Sequence, residues 1–458
     1  MIPLTPFGIV FVVASVMIIL LAPRRWVPVA LLIGVCYMVL NQGVQVGPFH
    51  FFAIRVLILA GLVRAMIRGE RPASSLHRMD WLMIAWAAWA LISSIFHDDP
   101  AASFVFNLGL AFNACGVYFL LRTFLQSAED VVWLCRIVAV LLAPVAVEMI
   151  HEQVTAYNLF SLLGGVPASP TIREGRLRAQ GPFAHAILAG TVGAVCLPLM
   201  IALWQKYRKA AVLGSAMCLA MVITSASSGP LLSSIVAIIA LMMFPLRRRM
   251  RIVRWVAVLG YVALDLAMKA PAYYLMARID LAGGSTGWHR AALIESSIRH
   301  LDEWWLGGTD YTRHWMPTGV SWNANHTDIT NHYLHLGVLG GLPLLVLFVA
   351  ILWAGFAYVG WFQGESRNMQ RDSAFFVWGL GASLFAHAAT SLSVAYFDQS
   401  FVFLYLTLAA IGAAYAGAAT APQQAPADAE RVRPGKARAR IRVGMRGQSD
   451  PRRFGDGA

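Results

Sequence analysis

The stretch LPLLVLFVAILWAGFAYVGW, residues 342–361, decides the fold. It carries no charged side chain over 20 consecutive positions. A helix of that length rises about 30 Å, the thickness of the hydrocarbon core of a bilayer. Its flanks set the pattern for the rest of the chain. Arg367 and Arg371 follow it, and a polar interval, 269–341, precedes it. That interval is rich in Trp, His, Arg, Asn and Asp. A loop of this length between spans is uncommon and is usually functional.

Apolar runs of the same kind recur along the 458 residues at 3–22, 27–44, 51–66, 81–96, 101–121, 131–150, 184–204, 211–226, 231–244, 255–268, 375–393 and 401–418. The chain is 58% hydrophobic and 13% charged, about half the charge of a soluble domain. Continuous rather than alternating apolarity excludes a β-barrel. The expected fold class is therefore an all-α polytopic membrane protein with about 12–13 transmembrane helices and one large loop. The formal charge of +13 does not indicate nucleic-acid binding. Its cations cluster in short loops, at Arg64–Arg78, Lys206–Lys209 and Arg247–Arg251, as the positive-inside rule requires of cytoplasmic loops. The alternation that follows puts the loops 151–183 and 269–341 outside. Residues 1–418 form the membrane domain on this reading. Residues 419–458, rich in Ala, Pro, Gly and Arg and without apolar period, form a basic disordered cytoplasmic tail suited to anionic lipid. Cys36, Cys115, Cys135, Cys196 and Cys218 all lie in apolar runs and give no disulfide framework.

Three outer features can carry chemistry. Arg178 follows Arg173 and Arg176 and leads into Gly181-Pro182-Phe183-Ala184-His185. A guanidinium here either snorkels to the interface or grips two phosphate oxygens at once. Arg290, in Gly287-Trp288-His289-Arg290, opens a helix with Ala291, Leu293 and Ile294 on its apolar face, and would complement Arg178 on a pyrophosphate. His326 stands eleven positions before Gly337 and fourteen before Gly340, among Asn325, Asp328, Asn331 and His332. A carboxylate beside an imidazole orients it and raises its basicity, which gives Asp328 a role next to His326. The glycines let the following helix approach its neighbours. Trp288, Trp304, Trp305, Trp315 and Trp322 stack on sugars or anchor at the headgroup level, and Trp305 is taken as a sugar contact. No histidine pair has zinc spacing with other ligands, so no metal and no cofactor is expected.

The order Arg178, then Arg290 with Trp304-Trp305-Leu306-Gly307, then His326-Thr327 with nine residues before Gly337-Val338-Leu339-Gly340, resembles the O-antigen ligase and O-antigen polymerase family over about residues 170–360. Thr327 stands where that family has an amide or serine, and no arginine follows Ser227-Ser228-Gly229 where the family often has a Ser-Arg pair. His332 is the alternative counterpart of its histidine. The resemblance implies a GT-C-like enzyme of the bacterial inner membrane. It would transfer a glycan from undecaprenyl pyrophosphate to a sugar hydroxyl at the periplasmic face, without a metal. The acceptor would be lipid A–core in a ligase or a growing lipid-linked glycan in a polymerase. Arg178, Arg290 and His326 would be catalytic, with Arg176, Asp328, Asn331, His332 and Trp305 around the substrates. Two readings compete. A transporter or flippase would use charges deep in the spans, for which Arg55 and Arg136 are the candidates. A non-catalytic component of an export complex would tolerate loss of the outer arginines and histidine.

Overall fold

A computed structural model describes residues 2–39, 42–278, 287–321, 323–365 and 371–420. The expected tail, from 421 onward, and Trp322 lie outside these residues. The helices are α1 (Pro6–Leu21), α2 (Val27–Tyr37), α3 (Ala53–Arg68), α4 (Arg78–Ser93), α5 (Pro100–Phe124), α6 (Ala128–Thr155), α7 (Ala186–Ala202), α8 (Arg208–Thr224), α9 (Ser228–Met242), α10 (Met250–Ala267), α11 (Gly287–Arg299), α12 (Leu301–Trp304), α13 (His332–Glu365), α14 (Arg371–Thr390) and α15 (Phe401–Thr420). Each apolar run read from the sequence coincides with one of them. Among the described residues, six stretches are long and apolar enough to cross a membrane unaided: Arg78–Phe96, Pro100–Phe124, Ala128–Thr155, His332–Gly364, Arg371–Thr390 and Phe401–Ala418. The protein is a multi-pass helical membrane protein.

Local chemistry starts these helices. Asp99 accepts from the Ala102 N–H with Pro100 at the first helical position, and Ser127 accepts from Asp130 N–H. The shorter α7 lies at the centre, almost wholly buried, and its small residues permit that. A side chain at Gly193 would stand 2.6 Å from the Cys218 carbonyl of α8, and one at Gly190 would strike Ser225 and Pro230.

Three features depart from a simple array of spans. The run 27–44 ends early as helix at Tyr37. Gln42–Val46 (β2) and Phe49–Phe52 (β3) then form a hairpin across Gly47-Pro48, with Ile2–Pro3 (β1) alongside. Alternating Val44-Gln45-Val46 before a Gly-Pro turn carries that signal in sequence. The expected spans 231–244 and 255–268 become α9 and α10, bent by 69° across the basic turn at Phe244–Arg249. None of the α10 residues is buried.

The third feature is a kink in α13 at Gly340 and Gly341, the latter at φ 71°. Here Gly337 and Gly341 admit the segment 304–309, while Gly340 faces Ser93 of α4. A side chain on Gly337 would meet the Trp304 ring at 2.6 Å, and one on Gly341 would overlap the Leu306 carbonyl. Three carbonyls at the kink, of Val338, Leu339 and Gly340, find donors outside the helix, as groups away from water need to. Trp89 Nε1 donates to Gly340 O (2.7 Å), Ser93 Oγ to Leu339 O (3.3 Å) and Thr309 N to Val338 O (2.9 Å). Leu342 N donates back to Trp305 O at 2.8 Å. The long loop is thereby tied to the helix that follows it.

Candidate functional site

The site begins with a two-residue hairpin turn. Glu174 and Gly175 both adopt positive φ, 50° and 70°, and join β4 (Thr171–Arg173) to β5 (Arg176–Arg178). The register pairs Arg173 with Arg176 and Thr171 with Arg178. Directly paired residues share a face, so Arg173, Arg176 and Arg178 lie on one side of the hairpin and Ile172 and Leu177 on the other.

Arg178 is buried. Its Nη2 donates to Ser227 Oγ at 2.6 Å, and Ser227 Oγ donates to the Ser225 carbonyl. Its Nε has no partner among the described residues. Burial and then the Arg173 charge push its pKa down to about 10, so the guanidinium remains charged at neutral pH. The loop after it is fixed by a buried carboxylate and two amides. Glu152 Oε2 accepts from Gln180 N (2.9 Å) and Gly181 N (2.8 Å), Asn158 Nδ2 donates to Gly181 O, and Gln399 Nε2 donates to Pro182 O. His185 caps α7 through Ile187 N.

Arg290 approaches Arg173 from α11. Gly287 starts that helix where a side chain would collide with the Met276 carbonyl. Arg290 is half-buried and its Nε too lacks a partner among the described residues. Its pKa is lowered by burial and by Arg173, and raised by Asp328. Arg173 thus acts on both Arg178 and Arg290, giving a cationic cluster centred on Arg173. Asp328 belongs to this cluster as the neighbour of Arg290. Its carbonyl also receives the Nε2–H of buried His289 at 3.0 Å.

His326, two residues away, faces a different carboxylate. Burial lowers its pKa, and the group opposing that shift is Asp310. Asp310 is held by His97 Nδ1 (2.7 Å) and Asp98 N (2.7 Å). Thr312 Oγ1 lies 3.5 Å from His326 Nδ1. Asp310 is thus the carboxylate whose charge acts on His326, while that of Asp328 acts on Arg290. His326 also lies near His335.

The remaining sequence candidates divide. Asn331 caps α13, its Oδ1 accepting from Tyr333 N (2.9 Å) and Leu334 N (3.2 Å), a structural assignment for a residue expected at the substrate. His332 is buried, with its N–H on the Ser391 carbonyl and its ring edge-on to Phe348 and Tyr396. Trp288 and Trp305 are exposed, whereas Trp304 and Trp315 are buried in the loop's own core. Arg176 is exposed on the arginine face of the hairpin.

Beside this region lies a chamber of about 1020 Å³, lined mainly by Phe, Leu and Val of β3, α3, α5 and α15, with His332, His335 and Asp398 at one side. Asp398 Oδ2 accepts from Ala184 N in the loop after Arg178, which connects chamber and arginine cluster. Arg55, which also lines it, is tied to Asn113 and the His50 carbonyl, and Arg136 lies over the Tyr207 ring. Apart from the cluster, His300, Glu303 and His314 bring three metal-ligating atoms within 4.8 Å of one another.

Sequence spacing misses Asp310, His97, Ser227 and the His300–His314 group. His300, Glu303 and His314 meet when the long loop folds on itself, whereas His97 and Ser227 come from the turns before α5 and α9. Comparison of the chain with known protein families and with curated proteins finds no match.

Proposed function

We propose that this protein transfers a glycan from an undecaprenyl-pyrophosphate donor to a sugar hydroxyl, in the manner of O-antigen ligases and polymerases. The observation that carries the proposal is the cluster of Arg173, Arg178 and Arg290, in which two guanidinium Nε groups have no partner among the described residues. Holding a buried and a half-buried guanidinium near a third cation is costly unless an anion completes the site, and a pyrophosphate offers the oxygens to do so. The adjoining apolar chamber suits part of the isoprenoid chain. In this scheme the acceptor oxygen attacks the anomeric carbon, and the glycosyl–oxygen bond to phosphate breaks. The electron pair leaves with the pyrophosphate, where the arginines stabilise the growing charge. His326, whose lowered pKa keeps it neutral at pH 7, takes the acceptor proton. The nearby charge of Asp310 favours the imidazolium that forms.

The same scheme puts the 269–341 loop at the periplasmic face of a bacterial inner membrane. It also takes the helices too short or too bent to span alone as parts of a GT-C-like domain of about 12–13 spans. The test is the lipopolysaccharide and capsule gel profile of a deletion strain, complemented by the wild type or by Arg178→Ala. Loss of all polymer on the core identifies a ligase, and a single-repeat product a polymerase. An unchanged profile, or full complementation by Arg178→Ala, rejects the proposal. Loss of export with normal lipid-linked product inside the cell would favour a flippase.

A further inference from the structure

We propose that His300, Glu303 and His314 form a zinc-class divalent metal site that clamps the end of α11 and α12 to the segment before His326. One ligand atom from each residue lies within 4.8 Å of the others. His300 and Glu303 are three residues apart, so one helical turn presents both on the same side. His314 arrives from the short helical turn Arg313–Trp315. Two imidazoles and one carboxylate are the donor set of an open tetrahedral zinc site, and suit zinc better than magnesium or calcium. Glu303 and His314 are exposed, which leaves room for a water at the fourth position.

The surroundings orient these ligands as an outer shell should. His300 Nδ1–H donates to the Ser296 carbonyl at 2.9 Å, which puts the ring's lone pair on Nε2. A metal-bound histidine almost always gives its other N–H to such an acceptor. Trp315 Nε1 donates to Glu303 Oε2 at 3.1 Å and its ring stacks with His300, interplanar angle 13°. Two of the three ligands are thereby held by one buried indole. His314 Nε2 now sits 2.8 and 3.0 Å from the two Glu303 oxygens, sharing a proton that a metal would displace. Ligands around tetrahedral zinc stand about 3.3–3.5 Å apart, so the pair opens by roughly 0.5 Å to admit the ion. Thr312 N and Arg313 N both donate to Asn325 O at 2.9 Å, so a metal on His314 fixes the strand leading to His326.

This site stands independently of the glycan-transfer proposal, and its test needs no activity. Untagged full-length protein in nanodiscs is stripped with chelator and titrated with Co²⁺, then Zn²⁺. The expected result is one equivalent of Co²⁺ giving the strong visible absorption of a four-coordinate ion, displaced by Zn²⁺. Zn²⁺ should also raise the melting temperature. His314→Ala and Glu303→Gln should each weaken binding by at least about 100-fold, beyond what loss of an outer-shell partner costs. His151→Ala, away from the site, should bind normally. Glu303→Gln keeps the shape and the Trp315 hydrogen bond, so its loss of binding is not a folding defect. Only the faint spectrum of hydrated Co²⁺ in the wild type, or equal binding in both ligand variants, overturns the proposal.

Discussion

Removing the Arg178 guanidinium separates a ligand-binding arginine from a structural one. Nη2 is anchored on Ser227, and Nε is without a partner among the described residues. The group can therefore offer one or two charge-assisted hydrogen bonds to a pyrophosphate. At about 1.5–3 kcal/mol each, Arg178→Ala should lose roughly 2–5 kcal/mol of transition-state stabilisation. That corresponds to a fall of about 30- to 5,000-fold in kcat/KM. Arg178→Lys supplies a point charge without the fork and should recover only part of this. The melting temperature should not fall in either variant, because a buried cation facing Arg173 is removed or softened. Arg290→Ala should behave alike, and the double variant should lose less than the sum, since both act on one anion. The assay is glycan transfer by purified variants in liposomes, read beside a thermal melt. Near-normal kcat/KM in Arg178→Ala would refute the reasoning, as would lost activity that tracks lost folding.

The other predictions concern the histidines and the kink. His326→Ala should lower kcat while leaving donor affinity nearly intact, because the arginines still hold the pyrophosphate; equal losses in both would remove the proton-acceptor role. His332→Ala should instead lower the melting temperature, by an amount equivalent to about 2–4 kcal/mol, since it empties a site between Phe348 and Tyr396; activity per folded molecule should be kept. The neutral form of His326 is the active one and its pKa lies below the ordinary 6.5. The rate should therefore stay level above neutrality and fall as acid protonates the imidazole, and a profile that instead rises toward acid pH contradicts the assignment. Gly341→Ala forces a side chain onto φ 71° and into the Leu306 carbonyl, and should destabilise by more than about 2 kcal/mol in a melt. A neutral result would mean the kink is not fixed by glycine.

What was legible in the sequence follows from how far apart the interacting residues lie. Helices are local, so an apolar run such as 342–361 declares itself, whereas the short hairpin around Glu174-Gly175 does not. The loop's cation sites were legible as types: Arg178 and Arg290 stood out because charge beside a membrane needs a reason. Their common neighbour Arg173 required the β4–β5 register, which no spacing rule supplies for so short a hairpin. Asp328 stands two residues from His326 in sequence, yet its charge acts on Arg290, while the carboxylate acting on His326 is Asp310. Asp310 wins through the fold of the long loop. Asn331 looked like a substrate contact until its position just before α13 made it a cap. Of the glycines expected to let the helix approach its neighbours, Gly340 faces Ser93 of α4, as a helix–helix spacer does, whereas Gly337 makes room for Trp304 of the loop.

The central claim is that the arginine cluster holds a lipid pyrophosphate from which a glycan is transferred. Its most direct measurement uses the purified protein in liposomes with an undecaprenyl-pyrophosphate-linked glycan and a sugar acceptor, following released undecaprenyl pyrophosphate and new glycosidic product together. The account predicts equal amounts of the two, both lost in Arg178→Ala and Arg290→Ala. Consumption of donor without product, or product formation unaffected by loss of either arginine, would contradict it.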